Sequence, residues 1–513
     1  MKRYQIKSFS LILSLFIIII IFQTFYMSTI CAQEDVIRIY KFEKVKGITI
    51  PIRTKESFRR LFAENPLVPT TNEGILQLAN QLYTIEGRDE INETCGERLN
   101  GALFAGLSNP EISDNIRAEI DNIMFSIRPE LPLTYIGGHF KFYYTTTSTD
   151  SRDNVTLADI KATDKILDDA WDDYAKNFTE PKHYLTGGGC VPVEKLIDVD
   201  VYYLGTSLYG QTSSYWDYMD LCSDKVVKSS CDRQTTPVHE LFHRVQYSYD
   251  YISGTANMLW AVEGTASWSQ KYRASSMGDW MDRMDEGLTT PDVNLIKNRS
   301  YDACHFWCYM GQRGKGEMPI IKQVWTTFQS TKNMKKAVES TINAKISNVS
   351  TLDEFVAQWT FANYNKDMTN ANALHDYKED EWTRTCGGIT YGTLTNVVRD
   401  NRFVTVGTNI TINGSVTPYG ADYYNLNLDI DAGDGTVVSQ VQISVTTSPA
   451  DRDFSFATIE VLNSSNQNHE ITKSGLAQFN RTFTFTPGDL TDIVLIVVGN
   501  PGGGEYTVTI TGS

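Results

Sequence analysis

The spacing of apolar residues changes character twice along the chain. Between residues 33 and 130 it is mainly helical. Ile75, Leu76, Leu78, Ala79, Leu82 and Tyr83 share one face of a segment from Glu73 to Glu86, and Ile112 to Arg128 repeats the pattern. Pro129, Pro132, Gly137 and Gly138 end it. Alternation then predicts a strand over Phe140–Thr145, an amphipathic helix follows from Leu157 to Phe178, and a second strand spans Leu196–Leu204. A third strand is expected through Lys225, Val226 and Val227. From there to about Thr385 the chain reads as helical, with Trp325, Phe328, Phe355, Trp359 and Phe361 on core faces. After about Asn396 short β-branched runs recur, among them Ile410–Ile412, Tyr423–Leu428, Val437–Thr446, Phe456–Leu462 and Ile493–Val498. Strands followed by helices predict an α+β unit over residues 131–390. Regular short strands with turn-rich connections predict an all-β sandwich over 396–513.

A length of 513 residues fits two to four domains of roughly 100–200 residues each. The net charge of -16 lacks the basic footprint that nucleic acid requires, so nucleic acid is not an expected partner. Lys2, Arg3 and Lys7 precede an apolar run from Leu11 to Phe22, and small and polar residues lead to Ala32. That order predicts a secretory signal over residues 1–32. The run is short for a membrane span, which takes about 20 apolar residues, so no stable span is expected after its removal. An uncleaved signal anchor, tethering the chain to a membrane, is the alternative. A secreted chain is free to form disulfides. Cys31 leaves with the signal, and Cys222 and Cys231, flanking a short hydrophilic segment, are the expected pair. Cys304 and Cys308, four apart on a predicted helix, are poorly spaced for a bridge. N-x-S/T triplets at Asn177 and Asn413 are glycosylation acceptors by pattern, though such triplets are often accidental in an Asn-rich chain.

The chemistry concentrates in Thr235-Thr-Pro-Val-His-Glu-Leu-Phe-His-Arg-Val-Gln-Tyr247. Thr236 is expected to cap a helix and Pro237 to take its first position. His239 and His243 then lie one turn apart on one face, where two imidazoles can share a metal ion. Glu240 sits at the edge of that face, within reach of a metal-bound water. Trp260-Ala-Val-Glu-Gly-Thr-Ala-Ser-Trp268 follows, with nineteen residues between His243 and Glu263. Its small residues let a second helix pack closely and bring the Glu263 carboxylate to the same ion. Three protein ligands leave a fourth position for water, the arrangement of a catalytic rather than a structural zinc. Taken singly, the histidines read as core residues and Glu263 as a surface carboxylate; the pairing of the two segments favours the metal.

These segments resemble the gluzincin metallopeptidases, whose thermolysin-like pattern is H-E-x-x-H followed by a Glu on the next helix, at the spacing found here. They resemble more closely secreted metalloproteases carrying H-E-x-F-H-x-x-Q and W-x-x-E-G-T-A-x-W, here His239 to Gln246 and Trp260 to Trp268. The similarity runs over roughly Pro132 to Gly388. The resemblance implies a zincin-like fold, one catalytic Zn2+ held by His239, His243 and Glu263, Glu240 as general base, and a protein or peptide substrate. It departs at Ser267, where thermolysin-like enzymes place an acid that supports a histidine, so that support must come from elsewhere.

The implied reaction is metal-assisted hydrolysis of an amide, which also needs an oxyanion stabiliser. Tyr301 and then His305 are the first places to look. Tyr202, Tyr203, Tyr209 and Gly210 are expected to line a cleft where a peptide adds to a sheet edge. Cys304, His305 and Cys308 lack a fourth ligand and are not expected to hold metal. Residues 33–130 are either a removable pro-segment or part of the enzyme. A secreted binding or adhesion protein with a degenerate, inactive peptidase domain is the competing class, and the intact Glu240 argues against it.

Overall fold

The helical spacing near the N-terminus forms α1 (Asn72–Tyr83), which buries Ile75, Leu78, Ala79, Leu82 and Tyr83, and α2 (Asp114–Ser126) packed against it. The region is not purely helical, because Phe42–Val45 (β1) and Ile48–Pro51 (β2) pair as an antiparallel hairpin. The structure is a computed structural model. It describes residues 42–45, 48–51, 69–83, 99, 102–103, 106–107, 109–126, 129–182, 196–212, 218–251, 258–274, 279–314, 316–365, 384–386, 389–391, 394, 396–397, 399–428, 437–448, 453–462, 467–476 and 478–513. The expected signal over 1–32 lies outside them.

The chain as described is an α+β fold. Leu133–Ile136 (β3), Phe140–Tyr144 (β4), Ile197–Tyr202 (β5), Gly210–Thr212 (β6) and Tyr218–Cys222 (β7) form one sheet in the order β3-β4-β5-β7-β6. The central three strands are parallel and the two edges antiparallel. Parallel neighbours need a crossover, and α3 (Leu157–Asn177) supplies it between β4 and β5. Thr156 and Asp159 start that helix with a capping box. The expected strand through Lys225–Val227 is a correction. The strand ends at Cys222, and Ser223–Val227 forms a π-helical turn that buries Val226 and Val227.

Helices fill the next stretch: α4 (Asp232–Tyr247), α5 (Leu259–Ala274), α6 (Asp279–Thr289), α7 (Leu295–Asn298), α8 (Cys304–Arg313), α9 (Glu317–Thr331), α10 (Met334–Lys345) and α11 (Leu352–Asn365). Helix α4 begins a turn earlier than Thr236 and Pro237 led us to expect. The Ser229 hydroxyl accepts from the Cys231 and Asp232 amides and opens the helix there. Pro237 therefore lies inside it, its fixed φ compatible with the helix at the loss of one hydrogen bond. The disulfide also differs. Cys231 pairs with Cys386 of the hairpin β8 (Arg384–Cys386) and β9 (Ile389–Tyr391). Cys222 remains a buried thiol, turned by the π-helical turn into a cluster with Leu204, Leu208 and Val226. Cys304 and Cys308 are thiols with sulfurs 3.7 Å apart.

The C-terminal strands build two stacked sheets. Asp400–Val404 (β10), Asn409–Val416 (β11), Ala421–Leu428 (β12), Gln440–Ser448 (β13), Phe454–Leu462 (β14), Gln467–Leu476 (β15), Gln478–Thr484 (β16), Leu490–Gly499 (β17) and Gly504–Gly512 (β18) pair as β10-β12-β17-β14-β15 and β11-β18-β13-β16. The run Ile493–Val498 has no alternation because both faces of β17 are covered. Ile493, Leu495 and Val497 enter the core between the sheets, while Val494, Ile496 and Val498 join the helical core against α11. Tyr423 adds a hydrogen bond across that contact, its hydroxyl donating to the Thr360 carbonyl at 2.7 Å. Among the described residues, no helix is long and apolar enough to cross a membrane.

Candidate metal centre

Helix α4 is apolar on the side that faces α3 and α5. Phe242 meets Tyr174 edge-on at 5.4 Å between ring centroids, Phe178 at 5.3 Å and Trp268 at 6.1 Å, which locks three helices together. On α5, Gly264 leaves room for the Trp307 indole: a Cβ there would stand 2.7 Å from Trp307 Cδ1. Trp307 in turn stacks on Trp260 at 5.2 Å and donates to the Trp260 carbonyl at 2.6 Å. This packing fixes α5 so that Glu263 points at the histidines of α4.

The Glu263 Oε2 lies 3.1 Å from His239 Nε2 and 3.6 Å from His243 Nε2. The two imidazole rings stand nearly perpendicular, 4.8 Å between centroids. Their three candidate ligand atoms all lie within 4.8 Å of one another. An ion bound tetrahedrally at about 2.1 Å separates its ligands by about 3.4 Å, so the donor set has the right spacing as well as the right chemistry. His239 Nδ1 and Glu263 Oε1 are buried without a hydrogen-bond partner, a costly state that a bound cation relieves at the carboxylate. The group fits a metal ion.

Burial lowers the His239 pKa to about 4, against the hydrogen bond it donates to Glu263, which raises it, so this imidazole is neutral at neutral pH. Burial pushes the Glu263 carboxyl up, but the neighbouring His243 and the hydrogen bond from His239 outweigh it and hold the acid below its usual range. A neutral imidazole and an ionised carboxylate are the forms that ligate.

Support for His243 comes from Gln246, which the sequence shows only as the last residue of its motif. Gln246 Oε1 lies 2.8 Å from His243 Nδ1, and its Nε2 donates to the Val262 carbonyl at 2.8 Å and to Thr265 Oγ1 at 3.0 Å. Its position three residues after His243, on the same helix face, is the signal that points to it. Ser267, by contrast, has a buried hydroxyl with no hydrogen-bond partner. His239 Nδ1 has no hydrogen-bond partner, whereas His243 Nδ1 has Gln246.

Glu240 is fully buried beside the edge strand β6. A Cβ on Gly210 would lie 2.9 Å from Glu240 Cγ and 3.0 Å from Oε1. Of the four expected cleft residues, Gly210 meets the site. Tyr202 donates to Asp220 at 3.2 Å, Tyr203 lies under the Arg152 guanidinium at 3.9 Å, and Tyr209 lies under Lys225 at 5.0 Å, all in a separate cluster. Tyr301 does approach, its ring 5.8 Å from that of His239 and beneath Arg283. His305 is a core residue, with Nδ1 on the Asp302 carbonyl and its ring against Trp359 and Gly287. The site is closed: His239 is 4% exposed, Glu263 1%, and Glu240 and His243 not at all.

No family model matches this chain, and no curated protein matches it. Among solved structures, the pre-peptidase C-terminal domain of a Bacillus anthracis collagenase is 20% identical, over 23% of this chain and 100% of that one, with a TM-score of 0.17. The Yersinia pseudotuberculosis-derived mitogen is 13% identical over 21% of this chain and 86% of its own, with a TM-score of 0.16. The lysozyme inhibitor PliG of Aeromonas hydrophila is 13% identical over 22% of this chain and 99% of its own, with a TM-score of 0.15.

Proposed function

We propose that the protein is a secreted zinc metallopeptidase with a gluzincin-like catalytic domain. The observation that carries this reading is the approach of Glu263 to both histidines from a second helix, at 3.1 and 3.6 Å. Two core histidines and a chance carboxylate have no reason to converge on one point from two separate helices. A zinc ion held by His239, His243 and Glu263 supplies a Lewis acid and a bound water of lowered pKa. Glu240, next to the first histidine and held against β6, takes the proton of the attacking water and returns it to the leaving amine. The edge strand at Gly210 gives a peptide backbone a place to pair beside Glu240. Because all four side chains are closed off, substrate entry requires their cover to open. The Cys231–Cys386 disulfide supports an oxidising compartment outside the cytoplasm.

Zinc content and casein or gelatin hydrolysis, measured for the natural chain and for Glu240→Ala, test the assignment. Retained zinc with activity lost is the expected result, and equal activity in both removes Glu240 as the base. The closed site favours one rival, a secreted binding protein with an inactive peptidase domain. That rival predicts no hydrolysis by either protein, also after limited proteolysis to open the site.

A further inference from the structure

We propose that Gln246 is the positioning residue that fixes His243 as its Nδ1–H tautomer and so keeps Nε2 open for an ion. The inference rests on the reading of the triad as a metal site. The Val262 carbonyl, 2.8 Å from Gln246 Nε2, can only accept a hydrogen bond. The amide nitrogen must therefore face Val262, and the two ends of the Gln246 side chain cannot exchange places. Thr265 does not upset this assignment, because its hydroxyl donates its own proton to the Ala261 carbonyl at 2.7 Å and is left to accept from Gln246.

With the nitrogen end fixed, the oxygen end is fixed too. Gln246 Oε1 faces His243 Nδ1 at 2.8 Å and can only accept. Nδ1 must carry a proton, so Nε2 is the ring nitrogen left to give a lone pair to an ion. Nε2 is the atom that lies 3.6 Å from Glu263 Oε2. Gln246 is fully buried, so water does not compete for either end. The same amide ties α4 to the carbonyl immediately before Glu263, so it holds the third ligand's helix in register with the second ligand. Hydrogen-bonded supports of this kind commonly change metal affinity tenfold to hundredfold when removed.

The test has one arm without metal and one with it. The chain has seven histidines, so protein labelled with 15N-histidine and freed of metal gives few enough signals to read tautomers by long-range 15N–1H correlation, with His243→Asn identifying the signal. The expected result is the Nδ1–H form for His243 in the natural chain and a mixed or Nε2–H form in Gln246→Met. An Nε2–H form in the natural chain overturns the proposal, and this measurement needs no variant of Gln246 to fold. In the second arm, competition with a chelator measures zinc binding. Gln246→Met should bind about tenfold to hundredfold more weakly, while equal affinity in both proteins overturns the proposal. If the natural chain binds no zinc, the metal reading fails on its own. The tautomer result still decides the role of Gln246.

Discussion

Replacing Gly264 by alanine sets a gain in helix propensity against a loss in packing, and the geometry decides the sign. Gly264 follows Glu263 on α5, and alanine inside a helix is favoured over glycine by about 1 kcal/mol. The added Cβ would stand 2.7 Å from Trp307 Cδ1, 2.8 Å from its Nε1 and 3.0 Å from the Ala303 Cβ. Carbon atoms in contact prefer about 3.5–4.0 Å. The indole cannot move aside cheaply: it is fully buried, stacked on Trp260 and hydrogen-bonded to the Trp260 carbonyl. Overpacking costs about 1–3 kcal/mol, and three short contacts against a pinned ring place this case near 3. The net loss is then about 2 kcal/mol. With about 2–4 °C per kcal/mol for a large domain, the unfolding midpoint of Gly264→Ala should fall by about 4–8 °C. Because the displaced backbone carries Glu263, zinc affinity should fall with it. Thermal unfolding followed by circular dichroism, with a zinc titration on the same samples, reads both. A midpoint that rises shows that the propensity gain wins, and the tight contact between α5 and α8 inferred here is then wrong.

Gly210→Ala presses on Glu240 instead of on a ring. The flexible carboxylate can swing away, so the fold and zinc content should be unchanged while hydrolysis falls about tenfold to hundredfold. Unchanged turnover would show that β6 does not hold Glu240 in its working position. Asp422 makes a pH prediction. Burial first, then the nearby Asp292, raise its pKa to about 6 against the hydrogen bond donated by the Tyr506 hydroxyl. A folded pKa above the unfolded value means that this group favours the fold below about pH 4 and loses that contribution as the pH rises through 6. Asp422→Asn should therefore be more stable than the natural chain at pH 7.5, by up to about 3 kcal/mol, and the difference should shrink toward pH 4. Unfolding midpoints across that range check it, and a variant less stable at pH 7.5 refutes it.

Strong periodicity made most of the fold legible. Helix α3 and strands β4 and β5 stand within a residue or two of their expected limits, because Phe140, Phe142, Ile160, Leu167 and Trp171 alternate or recur with one period. Strands β10 and β15 were not read. Both are sheet edges rich in polar residues of low strand propensity. The turn after Cys222 differs from the expected strand because Val226 and Val227 are strand formers by propensity, while the π-helical turn buries both valines on the way into α4. The expected Cys222–Cys231 pair rested on closeness in sequence alone, whereas the actual partner of Cys231, Cys386, lies 155 residues away and leaves no local signal. In the site, the pairing of His239 and His243 with Glu263 was legible from spacing. The closed state of the site, the contact of Gly210 with Glu240 and the fixed amide of Gln246 depend on tertiary approach, which local pattern does not encode.

The account stands on one ion shared by two helices. Crystals grown with zinc and measured on both sides of the zinc absorption edge show directly where the metal sits. The account predicts a single strong anomalous peak between His239 Nε2, His243 Nε2 and the Glu263 carboxylate, with bonds of about 2.0–2.2 Å and a solvent oxygen in the fourth place. No peak there, or a fourth protein ligand that closes the coordination sphere, would contradict it.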